Sequence, residues 1–554
     1  MLHIWVGRAG SGKSRRVLEA MEKNRRLRRQ VLLVPEHISH EAEVDLCRAL
    51  GPTASRDAEV LSFRSLASRV LAETGGLAEF TLDNGGKLLT MRRVLQELAP
   101  ELRVFGRPSQ RASFLRQLTD LTEEFYAYEI GPQALYRQVE DLDGAMGGKL
   151  RDIALIYAAY DARLRSGDFD ARSRLQKLRE HLEGSGYLRG CDVYLDGFSY
   201  FNRQEESILE LVLRQAESVT VTLLGDRSSD RLFQNALRQR MRLERMARRA
   251  GQEMDVLWCE SRGQGPLGHL EAHFFGQEVP YDGEPEGLEL YQAATAFTEV
   301  EWVSQQLRQL AAEGYRWRDM GVCARNMEVY GPLLESVFRR DGIPAYISRR
   351  SDLLEKPPIT MLLGALDAVT GGFDREDVFR CLKTGLGGIT PDECDILENY
   401  VILWDIRGSS MWLREGDWTA SPDGYGREPT ERSAARLERV NGIRRRVRLL
   451  LEPLYRGMRT AGAARQKAEC LYGFLQEAGV PQTLEDTAKK LLEEDRPQLA
   501  EEYVQLWAIF CGVLDQFAEI LGDTELSGEE FARLLRLVLT QYSVGTIPAT
   551  LDQV

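Results

Sequence analysis

The chain lacks several features that would have assigned it to a class at once. No apolar run approaches the ~20 consecutive residues that a membrane span needs, so no membrane partner is expected. No basic segment followed by an apolar stretch opens the chain, so no secretory leader is read and a cytoplasmic location is expected. Positive charge is also short, with a formal net charge of −13 over 554 residues. A protein that coats DNA non-specifically is usually basic. Any nucleic-acid contact is therefore expected to be local, in a channel, or shared with a partner. The eight cysteines are Cys47, Cys191, Cys259, Cys323, Cys381, Cys394, Cys470 and Cys511, with no C-x-x-C pair and no histidine at metal spacing. Reduced, mostly buried thiols are the plain reading. Short repeats and low-complexity tracts are absent as well.

What remains is an ordinary globular composition, 43% hydrophobic and 28% charged. The length predicts roughly three or four domain-sized units. Three basic clusters stand out: Arg25 to Arg29, Arg238 to Arg249, and Arg444 to Arg446. Such runs are most often solvated helix faces. His37 and His40 lie three residues apart without a third ligand, so a loop or cap role outweighs a metal role.

The most informative stretch is the first. Leu2 to Val6 reads as a buried strand, Gly7-Arg8-Ala9-Gly10-Ser11-Gly12-Lys13-Ser14 follows, and a helical run continues to Lys23. This is G-x-x-x-x-G-K-[ST] in its required context, strand before and helix after. Glycines let the loop curl so that backbone N–H groups surround phosphate oxygens. Lys13 would reach the β- and γ-phosphates, and the Ser14 hydroxyl would ligate Mg²⁺. The helix N-terminus adds partial positive charge. ATP with Mg²⁺ is the expected ligand pair, and a glycine-rich turn that binds nothing is the bland alternative.

Further strands are predicted at Val31–Val34, Val60–Phe63, Asp192–Asp196 and Val219–Leu224, with helices between. Alternating strands and helices imply a parallel sheet with ligand at the strands' C-terminal ends. Leu82 to Leu182 reads as helical, with apolar residues at three- and four-residue spacing such as Phe114, Leu118, Leu121 and Phe125. A second α/β unit is predicted from strands at Leu288–Tyr291, Met320–Ala324 and Ala345–Ile347, followed by a helical pattern to about Leu539. The fold class expected is α/β, with two P-loop-type units of parallel sheet that each carry a large helical insertion. The boundaries expected are 1–81 with 185–285 for the first unit and 82–184 for its insertion. They are 286–358 with 541–554 for an incomplete second unit, and 359–540 for its insertion.

A P-loop enzyme needs an Asp at a distal strand end to hold Mg²⁺, and Asp196 is the candidate. Helicases of this kind place a Glu next, to polarise water. Here Gly197 follows. Loss of a general base slows a reaction about 10²–10⁴-fold. Glu205 or Glu206 could substitute only from the next helix. The expectation is a chain that binds ATP and hydrolyses it poorly on its own. Single strands are held by aromatic stacking with phosphate contacts. Phe63, Arg64, Phe198, Tyr200 and Phe201 lie at strand ends on the expected DNA side, with core packing as the competing role of each ring. Arg325 ends a predicted strand of the second unit.

Taken in order, VGRAGSGKS, LLVPE, VLSFRSLASRVL, YLDGFSYF, VCARNMEVYGPLLESVF, LENYVILWDIRGSSMW and the closing IPATLDQV resemble the AddB (RexB-like) family of bacterial AddAB helicase–nucleases. The resemblance runs essentially end to end. It implies a superfamily-1 helicase fold whose ATPase has decayed, in which Arg325 faces the ATP cleft or the DNA. It also implies a partner AddA that carries the motor, single- and double-stranded DNA ends as substrate, and scanning for the Chi hot spot. Family members carry a C-terminal nuclease and an iron–sulfur cluster on four cysteines. Neither a G-x-x-D-R-x-D-like signature nor the cluster cysteines are found here, so the chain is expected to correspond to an N-terminal half and to be poorly soluble alone. An autonomous superfamily-1 DNA helicase is the alternative. A small-molecule kinase is disfavoured, because it would not need two large helical insertions.

Overall fold

The computed structural model describes every residue except 52, 76–81, 107–111, 140–141, 167–173, 228–231, 261–262, 276–278, 348–350, 427–429, 461, 495 and 545–551. The expected boundary at 81/82 and most of the closing IPATLDQV therefore fall at or outside the described residues. In chain order the elements of the first half are β1 (Leu2–Gly7), α1 (Lys13–Lys23), β2 (Gln30–Leu33), α2 (Ser39–Leu50), β3 (Ala58–Leu61) and α3 (Phe63–Thr74). Helices α4 (Asn84–Leu98), α5 (Ala112–Ala127), α6 (Pro132–Val139), α7 (Gly144–Ser166) and α8 (Arg174–Leu182) follow. Next come β4 (Asp192–Leu195), α9 (Arg203–Gln215), β5 (Ser218–Leu224), α10 (Gln234–Arg249), β6 (Met254–Cys259) and α11 (Gly265–His273).

Contacts divide the chain into two compact units, residues 1–81 with 120–290, and 82–119 with 291–554. The first is built on a six-stranded sheet in the order β3-β2-β4-β5-β1-β6, every ladder parallel. Strand alternation explains why both faces are covered. Leu2, Ile4, Val31, Leu33, Val193 and Leu195 point into one core, with α3, α8 and α9. Leu32, Val34, Val60 and Tyr194 point into the other, against Val17 and Met21 of α1 and Leu46 and Leu50 of α2. A parallel sheet buried on both faces reads as continuous apolar runs, which is why these strands were legible in the sequence. The sixth strand was not. In β6 only every second residue is sheltered, the pattern of an edge strand whose outer face is wet.

The second unit is helical. Helices α12 (Ala296–Ala312) and α13 (Met327–Asp341) pack through Val300, Leu307, Leu334, Val337 and Phe338. Beyond them the helix Pro357–Thr370 is buried along nearly its whole length. The run LENYVILWDIRGSSMW is part of this core. Tyr400 stacks on Trp418 at 5.4 Å and 9°, Trp412 is 1% exposed, and the Tyr400 hydroxyl donates to the Ala420 carbonyl at 2.9 Å. The helix Leu499–Leu521 is long and apolar enough to cross a bilayer by composition. It packs instead on the helix Val480–Glu493, with Leu506, Phe510 and Val513 buried.

The three strands expected in this unit are a correction. Leu288–Tyr291, Met320–Ala324 and Ala345–Ile347 carry no strand assignment. A strand exists only by pairing, and no sheet neighbour lies beside the first two among the described residues. The third makes one ladder-like contact. The Val554 N–H donates to the Pro344 carbonyl at 2.9 Å, and the Tyr346 N–H donates to the Val554 carbonyl at 3.0 Å. That alternation is the signature of a parallel bridge. Among the described residues the second unit otherwise has only two short antiparallel pairs, Ser351–Asp352 with Ser543–Val544 and Gly462–Ala463 with Glu525–Leu526.

Ile4 is fully buried at the centre of β1. Ile4→Ala is expected to lower stability by about 2–5 kcal/mol, from lost transfer energy and the cavity left behind. Urea denaturation followed by circular dichroism measures this.

Candidate functional site

The site is assembled where β1 ends. At Gly7 there is no room for a side chain. An added Cβ would lie 2.4 Å from Ser11 Oγ and 2.7 Å from the Cys259 carbonyl oxygen. Gly10 and Gly12 take φ of 72° and 79°, the left-handed region that glycine enters freely. Together they turn the chain so that Gly12 caps α1 and the helix begins at Lys13. The first-turn N–H groups of α1 have no acceptor within the helix. Ser11 is buried and Ser14 is exposed on that first turn. Helix α1 is held in place by Val17 and Met21, and by Asn24 Nδ2 donating to the Tyr194 hydroxyl at 3.2 Å.

The Lys13 ammonium lies inside the loop. It donates to the Gly7 and Arg8 carbonyls, both at 2.7 Å, and to Ser11 Oγ at 3.3 Å. Burial draws its pKa below the ordinary lysine value, opposed by the negative fields of Asp196, Cys259 and Glu271. Asp196 sits past β4, its N–H bonded to the Leu33 carbonyl at 3.0 Å and its Oδ1 accepting from Thr222 Oγ1 at 2.5 Å. Loop, lysine and strand-end aspartate thus belong to one site, as the sequence indicated. The residues fit a triphosphate. The glycine turn, the unsatisfied first-turn N–H groups and Lys13 suit its β- and γ-phosphates, and Ser14 with Asp196 suit a Mg²⁺ bound to it. Arg8 and Ala9 do not share one task. The Arg8 guanidinium leaves the loop, donates to Asp226 Oδ2 at 2.5 Å and to the Glu271 carbonyl at 2.5 Å, and lies over the Phe233 ring. Ala9 is an exposed turn residue.

The residues after Asp196 explain the missing glutamate. Gly197 has φ of 80°, and an added Cβ would lie 2.6 Å from Ile38 Cδ1. A glutamate there would be strained by its backbone alone. The two substitutes considered from the sequence are engaged elsewhere. Glu205 closes the capping box of α9, accepting from the Asn202 N–H at 2.9 Å, and Glu206 is buried between Arg203 at 3.2 Å and Arg242 at 2.8 Å. Two acidic residues escaped sequence reading. Asp226 holds Arg8, and Glu271 on α11 lies close enough to Lys13 to favour its charged form. The Gly225-Asp226 turn behind a β-run was a usable signal for the first. Nothing marked the second, because α11 falls in a stretch read as a boundary between units.

The aromatic candidates form one cluster. Phe63 meets Phe198 at 5.5 Å and Phe201 at 6.4 Å, and Phe198 meets Phe201 at 5.0 Å. Phe63 and Phe201 are 5% and 2% exposed, so both rings serve the core, and Phe198 is half-buried. Arg64 is exposed and lies 3.6 Å from Glu36. Arg325 is exposed in the second unit, just before the Asn326 cap of α13. Among the described residues no group of three or more His, Cys, Asp or Glu side chains could hold a metal ion, and all eight cysteines are free thiols. An iron–sulfur cluster does not fit these residues.

A parallel sheet that ends in a glycine loop and a lysine-headed helix defines an α/β protein of the P-loop class. Comparison narrows this. Residues 4–271 match the family model described as ADDB, N-terminal. Proteins named as the AddB-type component of an ATP-dependent helicase/deoxyribonuclease align along the chain. That of Desulforudis audaxviator is 34% identical over 585 residues, covering 100% of this chain and 50% of the relative. That of Pelotomaculum thermopropionicum is 34% identical over 586 residues, covering 99% and 50%. The Acetivibrio thermocellus protein is 31% identical over 573 residues, covering 100% and 50%. The chain belongs to the AddB family, and it spans about half the length of the curated relatives it matches.

Gly197→Glu is expected to lower stability by about 1–3 kcal/mol, because the position needs a left-handed backbone. Gly197→Asn should cost less, since Asn tolerates that conformation. Thermal melting of the two variants beside the parent chain tests the order.

Proposed function

We propose that this chain is a helicase-like, nucleotide-binding but non-motor part of a heterodimeric DNA helicase–exonuclease that resects double-strand breaks in the cytoplasm. The observation that carries this reading is the contrast within one site. The triphosphate cradle is intact around Lys13, while the position after Asp196 is a left-handed glycine and both following glutamates are bound elsewhere. Such a site holds a nucleotide as a structural element and leaves translocation to an AddA-type partner. In this reading the bound triphosphate with Mg²⁺ supplies charge and order to the loop. Arg325 faces nucleotide or DNA, and Arg64 with Phe198 meets a DNA end beside the buried Phe63 and Phe201. The helices α12 and α13, with the bridge at Val554, are read as part of a second RecA-like unit, and scanning for a Chi-like sequence belongs to the assembled complex. Nuclease chemistry is not assigned to these residues.

One observation favours a second reading, an autonomous ATP-driven superfamily-1 helicase. The Glu271 carboxylate acts on Lys13, and a carboxylate near the phosphates is what a general base requires.

Two measurements separate them. Equilibrium binding of a fluorescent ATP analogue should be lost in Lys13→Ala, by about 10-fold or more. Steady-state ATP turnover of the chain with single-stranded DNA should stay well below a typical enzyme rate of ~10 per second. A rate of that size, abolished by Glu271→Gln, would establish the second reading instead.

A further inference from the structure

We propose that the arginine face of α10, together with the exposed tyrosines beside it, forms a track for single-stranded nucleic acid, separate from the Phe63 cluster. The three basic runs of the sequence have different fates in the structure. In the first, Arg25 pairs with Asp57, Arg28 with Glu217, and Arg29 with Glu59. In the third, Arg444 is buried and donates to the Gly416 carbonyl, Arg445 pairs with Asp417, and Arg446 with Glu393. Both runs are consumed by the fold. The second is not.

Helix α10 lines one wall of a groove of about 990 Å³ within the first unit. Arg238, Arg242, Arg245 and Arg249 project into it, and Arg203 of α9 faces them. Their spacing of four, three and four residues keeps the α10 side chains on one helix face. At 1.5 Å per residue the row is about 16 Å long, enough to follow a few successive phosphates of an extended strand. All four are exposed. Three carboxylates, Glu124, Glu206 and Glu210, share the groove. Glu206 is taken by Arg203 and Arg242, and Glu210 by Arg249. Arg238 and Arg245 have no carboxylate partner among the described residues. Their planar forks are the kind that grips phosphate in two places. A concave site lined by one sign of charge focuses its field, which lets a chain of net charge −13 hold a polyanion locally.

Charge alone would suit any acidic partner. The rings decide. Tyr200 and Tyr128 line the same groove and are 69% and 61% exposed. Exposed rings beside guanidinium groups stack on unpaired bases, whereas a duplex hides its base faces and an acidic peptide offers none. Tyr200 also lies in the loop after β4, at the end of the sheet that carries Asp196. The inference rests on the DNA-processing reading above and adds the path of the strand.

The test is fluorescence anisotropy of a labelled oligo-deoxythymidine on the full chain across a salt series. Arg238→Glu/Arg245→Glu should lower affinity about 10-fold or more and reduce the slope of log K against log salt by about 1.4, two phosphate contacts at ~0.7 each. Tyr128→Ala/Tyr200→Ala should cost about 5-fold or more with the slope unchanged. Arg248→Glu, an exposed arginine of α10 outside the groove, should change little. Melting temperature and ATP-analogue binding, unaltered in every variant, show that folding is not the cause. If the parent chain binds and the groove variants bind equally, the track is overturned while the DNA-processing reading stands. If the parent chain does not bind, both fall. If a poly-glutamate peptide displaces the oligonucleotide as well as unlabelled oligo-deoxythymidine does, the groove is a protein-docking site and the track is overturned.

Discussion

The seating of β1 between β5 and β6 is the constraint on which the site depends. Leu2 through Gly7 pair in register with Val219–Leu224 on one side and Met254–Cys259 on the other. That double ladder brings Gly7 against the Cys259 backbone so closely that only glycine fits. From there the chain can only turn away from the sheet edge. The positive φ of Gly10 and Gly12 completes the turn and aims the N-terminus of α1 back over the strand ends. Apolar burial on both faces of the sheet holds this frame with no help from ligand. The cradle is therefore preorganised, and its lysine rests on the loop's own carbonyls.

Around that cradle the acidic groups divide the work. Asp196 is fixed by a backbone bond to β2 and a hydroxyl of β5, so its oxygens face the loop without depending on a metal. Asp226 is spent on Arg8, which ties the loop to the far side of β5. Glu205 and Glu206 stabilise α9 and its contact with α10. What is missing is a carboxylate on the short arc directly after Asp196. The left-handed backbone of Gly197 shows why none stands there. A site built this way favours holding over turning over, because binding needs donors and charge while hydrolysis needs a base at one point in space.

The second unit separates chemistry from architecture in the opposite direction. Its most distinctive sequence run, around Tyr400 to Trp412, is spent on packing: rings stack, and indole and phenol groups satisfy loop carbonyls. Idiosyncratic sequence here reflects a crowded core with polar tips to be paired. Basic runs show the same lesson. Arg444 looked like surface charge and is nearly fully buried, held by carbonyl oxygens and the face of Trp418.

The sequence by itself determined the glycine loop, the strands buried on both faces, the lysine and the strand-end Asp196. These depend on local patterns: apolar runs, glycine spacing, and residue order at a strand end. It also determined the lack of a glutamate after Asp196, since that is a matter of adjacency. Only the tertiary structure decided which charges are free. Whether Arg28 or Arg238 meets a carboxylate depends on residues tens to hundreds of positions away. The same holds for strands. Met320–Ala324 has the apolar content of a strand, but a ladder is made by a neighbour, and no local pattern encodes whether the neighbour comes. Glu271 near Lys13 and Tyr128 beside Tyr200 are products of chain return, and long-range return is what a linear reading does not see.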